Sequence, residues 1–326
     1  MTKKNKTALA VLCVVLALCV AALLILILLP KDGEKQSPVI SFSSVYSMTF
    51  DGGTGTEYEY VNDGGVWRCA LDSSIPLNQA VFDRISGFLN NLAPVSQMEI
   101  SDSLEAYGLS APAMTFSARD ESGGAVSLLV GNPVGEEGYY AMENGGDKIY
   151  ILASDFVDSI NYSLFSLVEK EDIPLLSPEK LTGISLSFEG KSVSFTKEDD
   201  GWYMETVSGP VKEEDYSAPD SLGDSHTVRK YINDIENSLA SMKADACVDY
   251  NGLVGGNWGI DTGLSAQFEL DTGEVVTFFV GDSFRTDDTS QFFYFTLPGY
   301  SGVYAMPGAP GNALYEAMFA LGTQSR

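Results

Sequence analysis

The residues able to do chemistry in this chain of 326 amino acids are few, and their spacing argues against most chemistries. There is one histidine, His226. A zinc site built on two or three imidazoles is therefore impossible within one chain, and no cysteine pair replaces them. A Ser-His-Asp triad would also depend on His226, and no Gly-x-Ser-x-Gly elbow is present. His226 falls where an amphipathic helix is expected to start, a place for a solvated side chain. Ser177-Pro178-Glu179-Lys180 has the Ser-x-x-Lys spacing that sets a lysine beside a nucleophilic serine. It lies in a proline-marked stretch without companion motifs and reads as coincidence. Gly52-Gly53-Thr54-Gly55 lacks the Lys-Ser/Thr of a phosphate-cradling loop. The run from Asp282 to Asp287 and Asp288 offers oxygen ligands without the spacing of a calcium loop, so a solvated hairpin turn is expected there. Paired carboxylates can hydrolyse glycosidic bonds, but among 45 acidic residues any pairing can be found. The expectation is no catalytic residue, no metal and no cofactor.

What the chain does show is repetition. Tyr107-Gly108-Leu109, followed by two strands ending at Gly131, is answered by Trp258-Gly259-Ile260 and Gly281. The offset is 151 residues at the first landmark and 150 at the second, a slip of one residue. Duplication of this kind points to a paired scaffold more than to one catalytic cleft. The aromatic run Phe292-Phe293-Tyr294-Phe295 is a candidate interaction surface, because successive side chains of a strand face opposite sides. One face belongs in the core, and the other is either exposed or covered by the neighbouring repeat, with packing between repeats favoured.

The elements that would position these residues follow from period and turn chemistry. Hairpins are expected from Val45 to Phe50 with Thr56 to Val61, and from Leu181 to Phe188 with Ser192 to Thr196 across Glu189-Gly190. Strand pairs follow at 113–118 with 125–130, 266–270 with 274–280, 139–142 with 148–152, and 292–297 with 302–305. Val81, Phe82, Ile85, Leu89 and Leu92 mark an amphipathic helix with Asn78 as its cap; Val228, Tyr231, Ile232, Ile235, Leu239 and Met242 mark a second, capped near Ser225. Short helices at 154–161 and 312–320 close the two units. Segment 209–223 is an insertion of about 16 residues, rich in Pro, Asp, Glu and Ser, and is expected as a solvated loop.

From Ala8 to Leu29 every residue is Ala, Val, Leu, Ile or Cys. A helix over that run is about 33 Å long, enough to cross a hydrocarbon core. Lys3, Lys4 and Lys6 precede it without acidic neighbours, which puts the N-terminus in the cytoplasm. A cleaved signal peptide would have a shorter apolar run, and neither Cys13 nor Cys19 follows the small residue of a lipoprotein signal. All 45 acidic residues lie beyond this run, which opposes nucleic-acid binding. Cys69 and Cys247 stand at non-equivalent positions of the two repeats, and two free, buried thiols are expected.

The order and repetition of these features resemble a bacterial family of unknown function, domain of unknown function 4340. Its members carry an N-terminal membrane segment and repeated strand-rich units with a Tyr-Gly-Leu-x-x-Pro motif before a strand ending in glycine. Tyr107-Gly108-Leu109-Ser110-Ala111-Pro112 fits that motif. Trp258-Gly259-Ile260-Asp261-Thr262-Gly263 departs from it, with Trp for Tyr and Gly for Pro. The resemblance covers roughly residues 45 to 320. Members are often encoded beside permease and ATPase subunits of ABC transporters, which implies an accessory role at a transporter and supplies no catalytic residue.

The expected architecture is α+β: an N-terminal transmembrane helix, then two related strand-rich units. Each unit has antiparallel strands packed on one amphipathic helix and a short C-terminal helix. The boundaries are 1–7 cytoplasmic, 8–29 transmembrane, 30–38 stalk, 39–168 first unit, 169–178 linker and 179–326 second unit, with the bulk of the chain extracytoplasmic. The expected role is a binding or interaction module, with an ABC permease and ATPase as partners. The alternatives are a cell-envelope hydrolase using acidic residues, which would show a cleft with a carboxylate of raised pKa, and a purely structural envelope protein.

Overall fold

The structure is a computed structural model that describes residues 37–136, 138–286 and 290–324. The apolar run at 8–29 lies outside the described residues, as do Asp287 and Asp288. Among the described residues no helix is long and apolar enough to cross a membrane.

Two antiparallel sheets dominate. The first contains β1 (Val45–Phe50), β2 (Tyr58–Asp63), β3 (Val66–Cys69), β4 (Ser96–Glu99), β5 (Met114–Asp120), β6 (Ala125–Val134), β7 (Gly138–Glu143) and β8 (Lys148–Leu152). Their order is β3-β2-β1-β5-β6-β7-β8-β4. Helix α1 (Gln79–Leu89) follows β3 and helix α2 (Ser154–Ile160) follows β8. The second sheet contains β9 (Leu181–Phe188), β10 (Lys191–Glu198), β11 (Gly201–Thr206), β12 (Gly209–Lys212), β15 (Ala246–Tyr250), β16 (Leu264–Leu270), β17 (Val275–Arg285), β18 (Gln291–Thr296) and β19 (Gly302–Pro307). Its order is β12-β11-β10-β9-β16-β17-β18-β19-β15, with β20 (Thr323–Gln324) paired to β10. A separate ribbon, β13 (Ser217–Pro219) with β14 (Ser225–Thr227), leads into helix α3 (Val228–Ser238); helix α4 (Gly308–Leu321) follows β19. Without β12 and β20, the second sheet has the strand order of the first.

Alternation explains which faces are buried. Met114, Phe116 and Ala118 of β5 are buried, as are Val276, Phe278 and Val280 of β17. The stripe of α1 places Phe82 and Ile85 on that buried face, with Phe82 stacked on Trp67 at 5.5 Å between centroids. Each fully buried ring of this kind stabilises the fold by about 1.5–3 kcal/mol. Most buried residues of both sheets form one contiguous cluster, from Ile40 to Leu321.

Several local expectations are corrected. Asn78 occupies the N-cap position of α1 but makes no capping bond with its side chain. The neighbouring Gln79 has the larger role: its Oε1 accepts the Trp67 N–H at 2.7 Å, and its Nε2 donates to the Trp67 carbonyl at 3.1 Å. A side-chain amide thus completes the ladder at the free edge of β3. Ser225 belongs to β14, and Thr227 is the residue before α3. Helix α4 begins four residues earlier than expected, at Gly308. Gly308-Ala-Pro-Gly looks like a turn, but a proline is tolerated in a first helical turn, where N–H groups lack partners anyway. Strands β6 and β17 continue past Val130 and Val280, because a β-bulge interrupts the alternation there.

The 209–223 segment is not a solvated loop. It supplies β12 to the sheet edge and β13 to the ribbon, and it buries Glu213 to 1% exposure. The Glu213 N–H donates to the Trp202 carbonyl at 2.9 Å, and its carboxylate accepts from Trp202 N–H at 3.2 Å and from Arg229 at 2.7 Å. Glu213, through its backbone N–H and its carboxylate, therefore serves Trp202 where the Gln79 side chain serves Trp67. The 169–178 stretch is docked as well. Lys170 donates to the carbonyls of Ala244 and Asp245, and Glu171 accepts from the N–H groups of Ser301 and Gly302 at 3.2 and 3.1 Å.

Candidate functional site

The repeated landmark residues have a shared geometry. Gly108 and Gly259 have φ of +73° and +69°, values that favour glycine. The turn each makes points a carbonyl at the bulge of the neighbouring strand. The Asn132 N–H donates to the Tyr107 carbonyl at 2.9 Å, and the Asp282 N–H donates to the Trp258 carbonyl at 3.0 Å. A Cβ on Gly131 would lie 2.2 Å from the Tyr107 oxygen, and one on Gly281 would lie 2.1 Å from the Trp258 oxygen. Both glycines are required by this close approach. Tyr107 and Leu109 are buried with Met142 and Ile149 in a small second cluster, and Pro112 and Ile260 are half-buried. Trp258 donates its Nε1–H to Asp249 at 3.1 Å.

Sheet register locates the one-residue slip. Met114 faces Val130 and Leu264 faces Val280. Tyr107 to Met114 is seven residues, whereas Trp258 to Leu264 is six. Gly263 therefore stands at the ladder position of Ala113, which corrects its alignment with Pro112. It is glycine because a Cβ there would lie 2.2 Å from the Val280 oxygen.

The aromatic run of β18 divides as strand geometry requires. Phe293 and Phe295 are buried. Tyr294 lies over Phe284 at 4.4 Å and Trp258 at 4.8 Å, and Phe292 stacks on Phe284 at 5.6 Å. On the outer face Phe292 and Tyr294 are half-buried and make their ring contacts within the second unit.

The bulge at Gly281 and Asp282 opens into a cleft of about 560 Å³ that sequence reasoning missed. Its wall comes from six separate stretches of chain, two of them the turn at Gly259 to Gly263 and the start of β18. Helix α4 contributes Tyr315, Glu316 and Phe319; the β9–β10 turn contributes Phe188 and Glu189; the inserted segment contributes Ser221; the bulge contributes Asp282. Glu189 holds φ of +49°, uncommon for a side-chain-bearing residue, and with Gly190 forms a two-residue turn. The Tyr315 hydroxyl donates to the Val280 carbonyl at 3.0 Å, which fixes its ring against the bulge. Burial and the nearby Asp282 carboxylate raise the pKa of that hydroxyl. Phe188 meets Tyr315 edge-on at 5.4 Å and Phe319 edge-on at 5.8 Å, and Tyr315 and Phe319 stack at 6.0 Å. Glu316 accepts hydrogen bonds from the Ser221 hydroxyl and N–H, tying the inserted segment to α4. The Tyr315–Phe319 spacing of four was the available signal, but nothing local said what it faces.

In the first sheet the corresponding place is filled. By register Gly52 stands where Phe188 does, and a Cβ on Gly52 would lie 2.2 Å from the Tyr162 oxygen. Helix α2 has seven residues against fourteen in α4, so the chain after it folds back into that space.

The other candidates lie elsewhere. His226 sits in β14, 3.1 Å from Asp220, and does not line the cleft. Ser177 precedes a single 3-10 turn, Pro178–Lys180, and its hydrogen bond holds the Glu179 carboxyl below its usual range. Cys69 and Cys247 are free and buried. Glu236 is a carboxyl raised above its ordinary value by burial; it accepts from the Trp202 indole at 3.3 Å, outside the cleft. Among the described residues no group of His, Cys, Asp and Glu is arranged to hold a metal.

A family model described as a domain of unknown function (DUF4340) matches residues 67–252, more than half of the chain. No curated protein and no solved structure matches it.

Proposed function

Because the chain belongs to the DUF4340 family, whose description names no reaction, we propose a function from its own geometry: a non-catalytic binding module. In this reading the two sheets are related units, 39–168 and 179–326, held outside the cytoplasm by an anchor at 8–29. They serve as an accessory subunit beside an ABC permease and its ATPase. The shared strand order and the glycine–carbonyl contact at both bulges support a duplicated scaffold.

One observation carries the binding role. The second sheet builds its cleft from elements that the first does not have, namely a longer helix and an inserted segment, and lines it with rings and carboxylates. Exposed aromatic surface in a concave site is characteristic of recognition. The hydrolase alternative called for a cleft holding a carboxylate of raised pKa, and Glu236 lies outside this one.

The test is cross-linking in the native host, gentle detergent extraction through the tagged full-length protein, and mass spectrometry of what accompanies it. Recovery of an ABC permease and ATPase, lost when 39–326 is deleted and the anchor kept, is the expected result. Recovery of no stoichiometric partner overturns the accessory role.

A further inference from the structure

We propose that the cleft of the second sheet binds a small organic ammonium ion, an inference that rests on the binding-module reading and assigns its ligand class. The rings of Phe188, Tyr315 and Phe319 lie in two nearly perpendicular sets. Tyr315 and Phe319 are stacked with 26° between their planes, and Phe188 stands at 82° and 81° to them. Aromatic faces carry negative potential and attract cations within about 6 Å, most strongly when water is displaced. All three residues line the cleft, so its wall carries ring surface in two orientations.

The charges around the corner have one sign. Glu189, Asp282 and Glu316 line the cleft, and no lysine, arginine or histidine does so among the described residues. Cations close to rings elsewhere in the second unit are already engaged: Lys197 lies 5.4 Å from the Trp202 centroid and Lys230 lies 5.1 Å from that of Tyr231. Among the described residues no cation caps Phe319, which is 60% exposed. An anionic ligand would meet three carboxylates with nothing to offset them. A neutral ligand could stack on the rings but would make no use of the charge. An alkylammonium uses both, its charge against the carboxylates and its carbon body against the rings. The volume, about 560 Å³, suits a small molecule.

The test is calorimetric titration of the full-length protein in uncharged detergent with choline, butylammonium and 3,3-dimethylbutanol. The last has the shape of choline without its charge. At least one cation is expected to bind about 10-fold or more tightly than the neutral alcohol, and the two cations separate quaternary from primary ammonium. Glu316→Gln, which keeps an acceptor for Ser221, and Phe319→Ala, at an exposed position, are each expected to weaken the cation by about 5-fold or more. Equal binding of the alcohol, or an unchanged affinity in both variants, overturns the ammonium assignment and leaves a binding cleft in place. If none of the three binds, the ammonium assignment falls. If Phe319→Ala also leaves the native-host partners unchanged, the binding role of the cleft falls with it.

Discussion

The Tyr304 hydroxyl accepts the backbone N–H of Glu171 at 3.1 Å and donates to the carboxylate of the same residue at 2.8 Å. Tyr304 is fully buried in β19, and Glu171 lies in the stretch that joins the two sheets. This closed pair fixes the connection, which composition alone reads as a linker. Burial first, and then the Glu171 carboxylate, raises the tyrosine pKa against the lowering effect of the Glu171 N–H, so the hydroxyl keeps its proton and its role as donor.

Tyr304→Phe removes both bonds and leaves a backbone N–H without its acceptor. A loss of about 1–3 kcal/mol in unfolding free energy is expected, read from the urea midpoint at unchanged slope. Glu171→Gln keeps an acceptor for Ser301 and Gly302 and should cost less.

Gly131→Ala and Gly281→Ala both force a Cβ onto a backbone oxygen that cannot withdraw without breaking the bulge contact. Each is expected to destabilise by about 2–4 kcal/mol in thermal or urea unfolding. Gly87→Ala is the contrast, since nothing lies within 4 Å of its added Cβ and the site is helical. It should stabilise by up to about 1 kcal/mol.

Asp72 is held below the ordinary carboxylate range by the Ser74 hydroxyl first, then by the Ser74 N–H and by Asn251 from the turn after β15. A depressed folded pKa contributes stability above the unfolded value, about 3.9, and that contribution is lost as pH falls through the lower folded value. Asp72→Asn should therefore flatten the acid limb of the stability profile below about pH 4, measured by urea unfolding across a pH series.

Burial pushes the Cys247 thiol up to about 12. At pH 8 its thiolate fraction is roughly 10³-fold below that of an exposed cysteine, so native alkylation should be slower by at least that factor. Mass spectrometry of iodoacetamide adducts with and without urea reads this directly. Rapid native labelling of Cys247 would contradict its placement.

Much of the scaffold was legible because it is local. Leu181 to Thr196 shows its hairpin through alternation around Glu189-Gly190, and Val228 to Leu239 shows its helix through a 3.6-residue stripe. The misses have local causes too. The bulges at Val130 and Val280 break alternation, so both strands run further than their pattern shows. The Pro and Gly residues that open α4 resemble a turn. The inserted segment is polar in composition, yet Glu213 is buried because Arg229 and the Trp202 N–H satisfy part of its carboxylate.

The amino-acid sequence by itself determined the repeated landmarks, the two helical stripes and the strand pairs, because each depends on residues close together in the chain, and the family through the order in which they recur. The cleft was decided only by tertiary structure. Phe188, Ser221, Asp282 and Phe319 lie on four distant stretches, and each alone reads as a turn, a loop or a helix surface. They meet because β9 and β17 are both neighbours of β16, and because α4 runs two turns longer than α2 across that face. Proximity of this kind follows from strand order and packing, which no local period encodes.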